Sequence, residues 1–238
     1  MNLTVIIPCF NCSKSINKNF YRIYTKIKKK FKNVEFILID DGSNDNTKNS
    51  LKLIKRKFRN IFIILNKKNY GKSYCIIKGI KKARGRKIMM YDCDIPYYNY
   101  LEYFLKKLKN NKLVIINRRS KKNKTIIEKF SIYKFLRFFV GNLISLITRY
   151  LLKINIKDTQ AGLKGFNNLP ELKKTDFVSK KFFLDIEILM FFLKKNIKPY
   201  FINVENIIDN QPSSIKIFNL KKNISILKEY FLVIKKFI

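Results

Sequence analysis

Short apolar segments alternate with helical patterns through most of this 238-residue chain, and that alternation constrains the fold more than any other feature. Aliphatic runs bounded by polar residues are typical of buried strands, whereas apolar residues three or four positions apart indicate helices. Strands that alternate with helices favour an α/β fold: a mostly parallel, doubly wound sheet flanked by helices. The predicted strands cover residues 3–8, 34–39, 61–65, 87–91, 113–117, a short segment within 158–166, and 199–204. The predicted helices cover 15–31, 45–59, the 69–72 loop to 83, 99–110, 130–153, 184–195 and 220–237.

Two aspartates, Asp92 and Asp94, directly follow the predicted strand 87–91. In an open α/β sheet, the edge formed by the carboxyl ends of the strands is where ligands bind. Alternate residues of an extended chain point to opposite sides, so the two carboxylates converge only if the backbone bends here. A bent pair of carboxylates suits a hard divalent cation that keeps water and substrate phosphates as its other ligands. The alternative is two solvated aspartates in a loop.

Polar or small residues also follow the first three predicted strands, and a parallel sheet would bring them to the same edge. A carboxylate there can accept hydrogen bonds from the N–H groups of a nucleobase. A glycine lets the backbone approach a phosphate, and a lysine adds positive charge near it. Neither the glycine-rich dinucleotide motif nor a P-loop motif occurs in the sequence. The residues concerned are Pro8, Phe10, Asn11, Asp40, Asp41, Gly71 and Lys72.

The chain carries 52 Lys and Arg residues against 16 Asp and Glu residues, a formal net charge of +36. Such an excess favours an anionic partner: nucleic acid, an acidic membrane surface or a phosphorylated substrate. Codon bias toward Lys, Asn and Ile in a low-GC genome is an alternative explanation of the same excess. No helix-turn-helix, RRM or KH signature is evident. A basic nucleic-acid-binding protein is therefore the least favoured alternative, and we expect no nucleic acid partner.

Four cysteines and no histidine limit the possible metal chemistry. Cys9 and Cys12 have the spacing of half a zinc site, but no second pair and no histidine complete it. We therefore expect reduced, structural cysteines. The sequence shows neither a signal peptide nor an uncharged apolar run of about 18 residues. We expect a cytoplasmic protein, peripheral on the cytosolic face of a membrane.

The strand-end motifs together resemble those of family 2 glycosyltransferases with the GT-A fold. The matching segments are 5–11, 39–47, 69–72, 79–85 and 92–94. Three further segments are similar to the polyprenyl-phosphate branch of that family, which includes dolichyl-phosphate hexosyltransferases: 158–166, 183–187 and 211–216. The resemblance covers nearly the whole chain as a single domain, 1–238. It implies a nucleotide-sugar-binding half (1–95), an acceptor-side half (96–218) and a C-terminal basic amphipathic helix (219–238).

The resemblance implies an inverting glycosyltransferase that moves a hexose from a nucleotide sugar, of the UDP-glucose or GDP-mannose type, to a polyprenyl phosphate. It also implies Mg²⁺ or Mn²⁺ as a cofactor, with Asp92 and Asp94 as metal ligands. Together with Arg119, these two are the expected catalytic residues. The expected donor nucleotide-binding residues are Pro8, Phe10, Asn11, Asp40, Asp41, Gly71, Lys72 and Asp92. The expected acceptor phosphate ligands are Arg118, Arg119, Arg137 and Lys216.

A phosphate monoester acceptor is mostly dianionic at neutral pH, because its second pKa is about 6. It is already a nucleophile, so it needs cations and a line of attack rather than a strong base. Asp158, Asp185 and Glu187 are then interpreted as orienters of those cations rather than as direct catalysts. Within the family, the alternative is a soluble or glycan acceptor. A decayed transferase that binds donor without turnover is a further alternative.

Two predicted helices combine apolar and basic residues in a way that suits a membrane surface. Residues 130–153 are apolar on most sides and basic on the rest, and residues 220–237 form a basic amphipathic helix. Such helices can lie in the headgroup region, where anionic lipids attract Lys and Arg. The alternative is that both helices pack on the sheet or on another subunit.

Overall fold

A computed structural model describes residues 1–119, 132–204 and 220–238, and it describes side chains outside 132–140 and 220–223. The strands are β1 (Leu3–Cys9), β2 (Val34–Asp40), β3 (Ile61–Leu65), β4 (Lys87–Tyr91), β5 (Leu113–Asn117), β6 (Leu163–Asn167) and β7 (Tyr200–Asn203). The α-helices are α1 (Ser13–Lys30), α2 (Thr47–Lys57), α3 (Lys72–Lys82), α4 (Leu101–Asn110), α5 (Ile132–Leu151), α6 (Pro170–Lys174), α7 (Leu184–Lys194) and α8 (Leu220–Lys235). The strands form one sheet in the order β3-β2-β1-β4-β6-β5-β7.

The centre of the sheet is parallel. β1 lies between β2 and β4, and it runs parallel to both. Its register sets Cys9 opposite Asp40 and Ile6 opposite Met90, so the carboxyl ends of these three strands lie at one edge. β6 runs antiparallel to β4 and β5, while the β2–β3 and β5–β7 pairs are parallel. The predicted mostly parallel sheet is confirmed.

Helices cover both faces of the sheet, because adjacent residues of a strand point to opposite sides. On β6, a Cβ at Gly165 would meet Phe104 and Leu108 of α4. The ring of the next residue, Phe166, lies with its centroid 5.5 Å from that of Phe192 in α7. α4 and α7 therefore pack on opposite faces. Helix α1 buries the apolar stripe that its spacing predicts: Ile16, Phe20, Ile23 and Ile27.

A second hydrophobic cluster joins the region of α5, α7 and α8. Its buried members include Leu152 after α5, Met190 of α7 and Val233 of α8. Thr148 of α5 and Tyr230 of α8 share a hydrogen bond of 2.9 Å between their hydroxyl oxygens. Across the part of the chain that the structure describes, every helix is too short or too polar to cross a bilayer.

The structure moves several predicted helix boundaries. The predicted helix 45–59 begins at Thr47, because the Asp45 carboxylate accepts backbone hydrogen bonds from Ser13 and Thr47 instead of joining the helix. The predicted helix 99–110 begins with a 3-10 turn, Tyr98–Tyr100, before α4. The sequence did not predict α6, since five residues are too few to show a helical period. The predicted start of the 130–153 helix lies outside the described residues, and all four cysteines are free, as predicted.

Candidate active site

The Asp-x-Asp pair lies on a tight turn at the carboxyl end of β4. Ile95 N donates a hydrogen bond to the carbonyl of Asp92 over 3.0 Å, and Ile95 and Tyr97 have positive φ angles of 49° and 62°. This is the bend that the two carboxylates need if they are to act on one ligand. Burial, and then the nearby charge of Asp92, raise the pKa of Asp94. The two side chains are thus close enough to interact electrostatically.

Two neighbours, Lys72 and Gly162, determine where the Asp92 carboxylate lies. Lys72 Nζ, at the start of α3, lies 2.6 Å from Asp92 Oδ1. A Cβ at Gly162 would lie only 2.2 Å from Asp92 Oδ2, so a glycine is needed to leave room for this carboxylate. The antiparallel register of β6 brings Gly162 here, because it sets Leu163 opposite Tyr91, the residue before Asp92. The sequence prediction did not assign Gly162 to the site, although it lies in one of the segments that carry the family resemblance.

Asp94 has a carboxylate oxygen that no described residue binds. Its Oδ1 is buried and has no hydrogen-bond partner among the described residues. A buried, unpartnered oxygen beside a second carboxylate is a donor set that suits Mg²⁺ or Mn²⁺. Within residues 1–119, 132–204 and 220–238, no group of three or more His, Cys, Asp or Glu side chains could hold a metal ion. A cation held by Asp92 and Asp94 therefore needs further oxygens from water or from a diphosphate.

The loop after β1 is tied to the loop after β2. Asn11 Oδ1 accepts a hydrogen bond from Asn44 N, and Asn11 N donates to Ser43 Oγ, each over 3.0 Å. Phe10 remains 45% exposed near the half-buried Pro8. An exposed aromatic ring at this edge suits stacking on a flat nucleobase. Pro8, Phe10 and Asn11 lie at the predicted edge, and their contact with a nucleotide stays a prediction.

Asp40 and Asp41, at the end of β2, are both buried and bind neighbouring loops. Asp40 Oδ1 accepts a backbone hydrogen bond from within its own loop. Asp41 accepts hydrogen bonds from Tyr70 N over 2.9 Å and Gly71 N over 2.8 Å, and from the side-chain amide of Asn66 over 2.9 Å. Both carboxylates fix the backbone of loops at this edge of the sheet, a role that the motif alone did not reveal. The nucleotide contacts assigned to them stay predictions.

Gly71 packs closely against the backbone of another segment of the chain. Its φ is 103°, and a Cβ there would lie 2.9 Å from the carbonyl oxygen of Lys180 and 2.9 Å from the Cα of Lys181. The first N–H groups of α3, those of Ser73 and Tyr74, donate to the carbonyls of Lys181 and Lys180. Another segment of the chain therefore covers the side of Gly71 on which a Cβ would lie, and the contact of Gly71 with a phosphate stays a prediction.

Two arginines, Arg118 and Arg119, directly follow β5, where the acceptor phosphate is expected to bind. Arg118 binds Asp158 through its backbone N and its Nε, both over 2.8 Å to Oδ2, and through Nη2 over 2.7 Å to Oδ1. Burial alone would raise the pKa of Asp158, but the Arg118 guanidinium lowers it below its ordinary value. Arg119 Nη2 donates to the carbonyl of Gly141 in α5 over 2.9 Å. Asp158 therefore orients Arg118, and the binding of an acceptor phosphate by Arg118 stays a prediction.

Asp185 and Glu187 bind groups other than Arg118 and Arg119 in the contacts that the structure shows. Asp185 Oδ1 accepts a hydrogen bond of 2.7 Å from Nζ of the buried Lys164, a residue that the sequence prediction did not single out. Glu187 accepts backbone hydrogen bonds from residues 178 and 179, and its Oε1 lies 2.9 Å from Lys236 Nζ. The two oxygens of Glu187 thus anchor residues 178 and 179 and the residue that directly follows α8, and its expected role in orienting an acceptor cation stays a prediction. The side chain of Arg137 in α5, and the whole of Lys216, lie outside what the structure describes.

Comparisons with known sequences place this site in a family. The model described as glycosyl transferase family 2 matches residues 4–167. A dolichyl-phosphate beta-glucosyltransferase of Trichomonas vaginalis is 29% identical over 222 residues, covering 85% of this chain and 65% of the relative. The enzyme of the same name from Dictyostelium discoideum is 30% identical over 214 residues, covering 82% of this chain and 63% of the relative. The chain thus spans just under two thirds of the length of these relatives.

Solved structures show the same fold at low sequence identity. A UDP complex of glucosyl-3-phosphoglycerate synthase from Mycobacterium tuberculosis has a TM-score of 0.66 at 12% identity, covering 98% of this chain and 80% of that one. Mannosyl-3-phosphoglycerate synthase from Rubrobacter xylanophilus has a TM-score of 0.65 at 11% identity, covering 99% and 74%. The predicted GT-A fold is confirmed. The chain belongs to glycosyl transferase family 2.

Proposed function

We propose that this protein is an inverting hexosyltransferase with a nucleotide sugar as donor and a polyprenyl phosphate as acceptor. The observation that carries the proposal is an acidic cluster beside a basic one at the carboxyl edge of the sheet. Asp92 and Asp94 form the first cluster, and Arg118 and Arg119 form the second. Tyr97 lies within electrostatic range of a member of each cluster. Burial raises the pKa of Tyr97, the charge of Arg118 lowers it, and the charge of Asp92 raises it.

An acidic site next to a basic one suits a reaction between two phosphorylated substrates. An oxygen of the acceptor phosphate attacks the anomeric carbon while the bond from that carbon to the donor diphosphate breaks. Arg118 and Arg119 hold the acceptor dianion, and the bidentate contact with Asp158 fixes the plane of the Arg118 guanidinium. Asp92 and Asp94 would hold a divalent cation, whose charge would stabilise the departing diphosphate. No general base is needed, because the acceptor is already dianionic.

The names of the relatives support the choice of substrates. Two of them are named dolichyl-phosphate beta-glucosyltransferases, and a solved neighbour was crystallised with Mn²⁺ and UDP-glucose. UDP-glucose and a polyprenyl phosphate are therefore the first pair to test, with Mn²⁺ or Mg²⁺. GDP-mannose is the second donor to test.

Helix α5 has an unusual distribution of polar and apolar residues. Its buried residues include Ser145 and Thr148, which are polar. Its exposed residues include Leu143, Leu146 and Tyr150, which recur every three or four positions along one side. An ordinary surface helix carries mainly polar residues on its exposed side. The exposed side of α5 therefore suits an apolar or amphipathic environment.

Helix α8 also exposes apolar side chains. It packs beside α5 through the hydrogen bond between Thr148 and Tyr230, and it exposes three apolar residues at helical spacing: Ile224, Leu227 and Phe231. These three and the exposed residues of α5 (Leu143, Leu146 and Tyr150) form what we call the α5–α8 surface. A membrane with anionic lipids matches both its apolar side chains and the net charge of +36. We place the protein on the cytosolic membrane face through this surface, where a lipid-linked phosphate is within reach.

The activity is tested with radiolabelled UDP- and GDP-sugars, a short polyprenyl phosphate and Mn²⁺. We expect label to move into the organic phase, and we expect Asp94→Asn to reduce this transfer by at least about a hundredfold, since it removes a charged metal ligand. Circular dichroism checks that the variant is folded. Transfer that is unchanged in Asp94→Asn contradicts the metal role. Label that appears only in soluble or glycan products would make those the acceptor class.

The membrane contact is tested by sedimentation with vesicles that contain anionic phospholipid. The double variant Leu146→Glu with Phe231→Glu removes two exposed apolar side chains, each contributing about 1.5 kcal/mol or more when buried. We expect its vesicle-bound fraction to fall by tenfold or more. Leu53→Glu, at an exposed leucine of α2, is the matched control and should bind like the wild type. Equal sedimentation of the double variant and the control would show that the α5–α8 surface packs on protein.

A further inference from the structure

Lys72 forms an ion pair with Asp92, one of the two carboxylates that the proposed metal site needs. Its Nζ lies 2.6 Å from Asp92 Oδ1, and the two side chains are 39% and 28% exposed. The lysine is the first residue of α3, and this end of the helix is anchored. Ser73 N and Tyr74 N bind carbonyl groups of the 180–181 segment, and Ser73 Oγ lies 3.1 Å from Ser179 Oγ. The ammonium therefore extends from a fixed point toward the Asp-x-Asp turn.

The surroundings of Lys72 are acidic on more than one side. Burial alone would lower the pKa of its ammonium, but the charges of Asp92, Asp185 and Asp94 together raise it. Of these acids, Asp92 is in direct contact with Lys72, and Asp185 already binds Lys164. Asp94 Oδ1 has no partner among the described residues. In this structure the positive charge that neutralises Asp92 is thus a tethered ammonium.

A divalent cation that approaches this turn on its own faces two costs. It must displace an ammonium from Asp92, and it then lies next to that same ammonium as a like charge. Asp92 and Asp94 supply only two carboxylates, so little attraction is left to offset those costs. A diphosphate changes the balance, because its negative charge can neutralise both the incoming cation and the displaced Lys72.

We propose that Lys72 is an internal counter-ion that makes divalent cation and nucleotide diphosphate bind to this site together and not separately. The inference rests on the proposed function, which supplies the nucleotide and the metal. It adds that Lys72 opposes the metal when the nucleotide is absent and supports the diphosphate when it is present. A lysine that served only as a phosphate ligand would support the diphosphate but would not oppose metal binding when the nucleotide is absent. The sign of its effect on metal binding alone therefore separates the two roles.

The test measures Mn²⁺ binding without nucleotide by isothermal titration calorimetry and by electron paramagnetic resonance. Lys72→Met removes the ammonium and keeps most of the side-chain length. Lys72→Gln removes the charge but retains a hydrogen-bond donor for Asp92, which protects folding. Lys81→Met is the matched control: it removes one positive charge from an exposed position of the same helix. We expect both Lys72 variants to bind Mn²⁺ about tenfold more tightly than the wild type and Lys81→Met, which is about 1.4 kcal/mol.

The second part repeats the titrations in the presence of UDP or GDP. Coupling between two ligands is reciprocal, so the nucleotide tightens Mn²⁺ binding by the factor by which Mn²⁺ tightens nucleotide binding. We expect that factor to be about tenfold smaller in the Lys72 variants than in the wild type. Mn²⁺ affinities of the Lys72 variants that are no higher than that of Lys81→Met would overturn the counter-ion role. Absence of Mn²⁺ binding to the wild type even with UDP or GDP would instead contradict the proposed function.

Discussion

Gly162→Ala is the substitution that best tests the geometry of the acidic site. Gly162 has no positive φ, so an alanine fits its backbone conformation. The added Cβ would lie 2.2 Å from Asp92 Oδ2 and 3.1 Å from Asp92 Cγ. Real Cβ contacts essentially never fall below 3.0 Å, so the Asp92 carboxylate has to shift by about 0.8 Å or more. The substitution therefore displaces one metal ligand without removing it.

A shift of that size is large for metal coordination. Metal–ligand distances are held to about 0.2 Å, and Mg²⁺ demands near-ideal geometry. A misplacement of about 1 Å in an active site can lower the rate about a hundredfold, which is about 2.7 kcal/mol. We expect kcat/KM for hexosyl transfer to fall by that factor. The free energy of unfolding should change by less than about 1 kcal/mol, because Asp92 is partly exposed and can turn aside.

The assay compares transfer of labelled hexose into polyprenyl phosphate, and Mn²⁺-dependent UDP binding, between Gly162→Ala and Gly141→Ala. Among the residues that the structure describes, a Cβ at Gly141 would meet only Arg119 Nη2, at an ordinary distance of 3.4 Å. This control makes the same chemical change within helix α5, and it should keep Mn²⁺-dependent UDP binding. If Gly162→Ala also keeps the UDP affinity and transfers hexose within threefold of the wild type, then Asp92 does not need its present position. The assignment of Asp92 as a metal ligand would then be wrong.

Three further substitutions test other contacts. Asp158→Asn should destabilise the protein by about 2 kcal/mol, because it weakens the charge-assisted bonds to Arg118; urea unfolding measures this, and an unchanged midpoint would contradict it. Arg119→Ala should raise KM for the polyprenyl phosphate more than KM for the nucleotide sugar, and the reverse pattern would move Arg119 to the donor side. Hydrogen bonds from Thr47 and Ser13 outweigh burial and lower the pKa of Asp45 from 3.8 to about 2. The stability that Asp45 contributes is therefore present above pH 3.8 and is lost as the pH falls through about 2. Asp45→Asn should accordingly lower the melting temperature at pH 7 and lower it less as the pH falls toward 2; an equal loss at both would contradict the charge-based explanation.

The sequence predicted the site best where one strand and the loop after it carry all the information. The apolar run before Asp92 indicates a buried strand, and the rule that ligands bind at the carboxyl edge then places Asp92 and Asp94 there. The sequence predicted the contacts of a site residue less well where that residue has two possible partners. Asp41 has a motif typical of nucleotide contacts, yet it binds the backbone of Tyr70 and Gly71. Glu187 lies in a matching segment, yet it binds Lys236, 49 residues away.

By itself, the sequence determined the α/β class, most strand bounds, the buried stripe of α1 and the position of the Asp-x-Asp pair at a strand end. Each of these follows from local periodicity and from the order of elements along the chain. Only the tertiary structure decided that β6 is antiparallel, that Gly162 therefore faces Asp92, and that Lys72 neutralises the same carboxylate. Those contacts join residues 20 to 80 positions apart. They depend on strand register and on which charges burial brings together, and no local pattern records either.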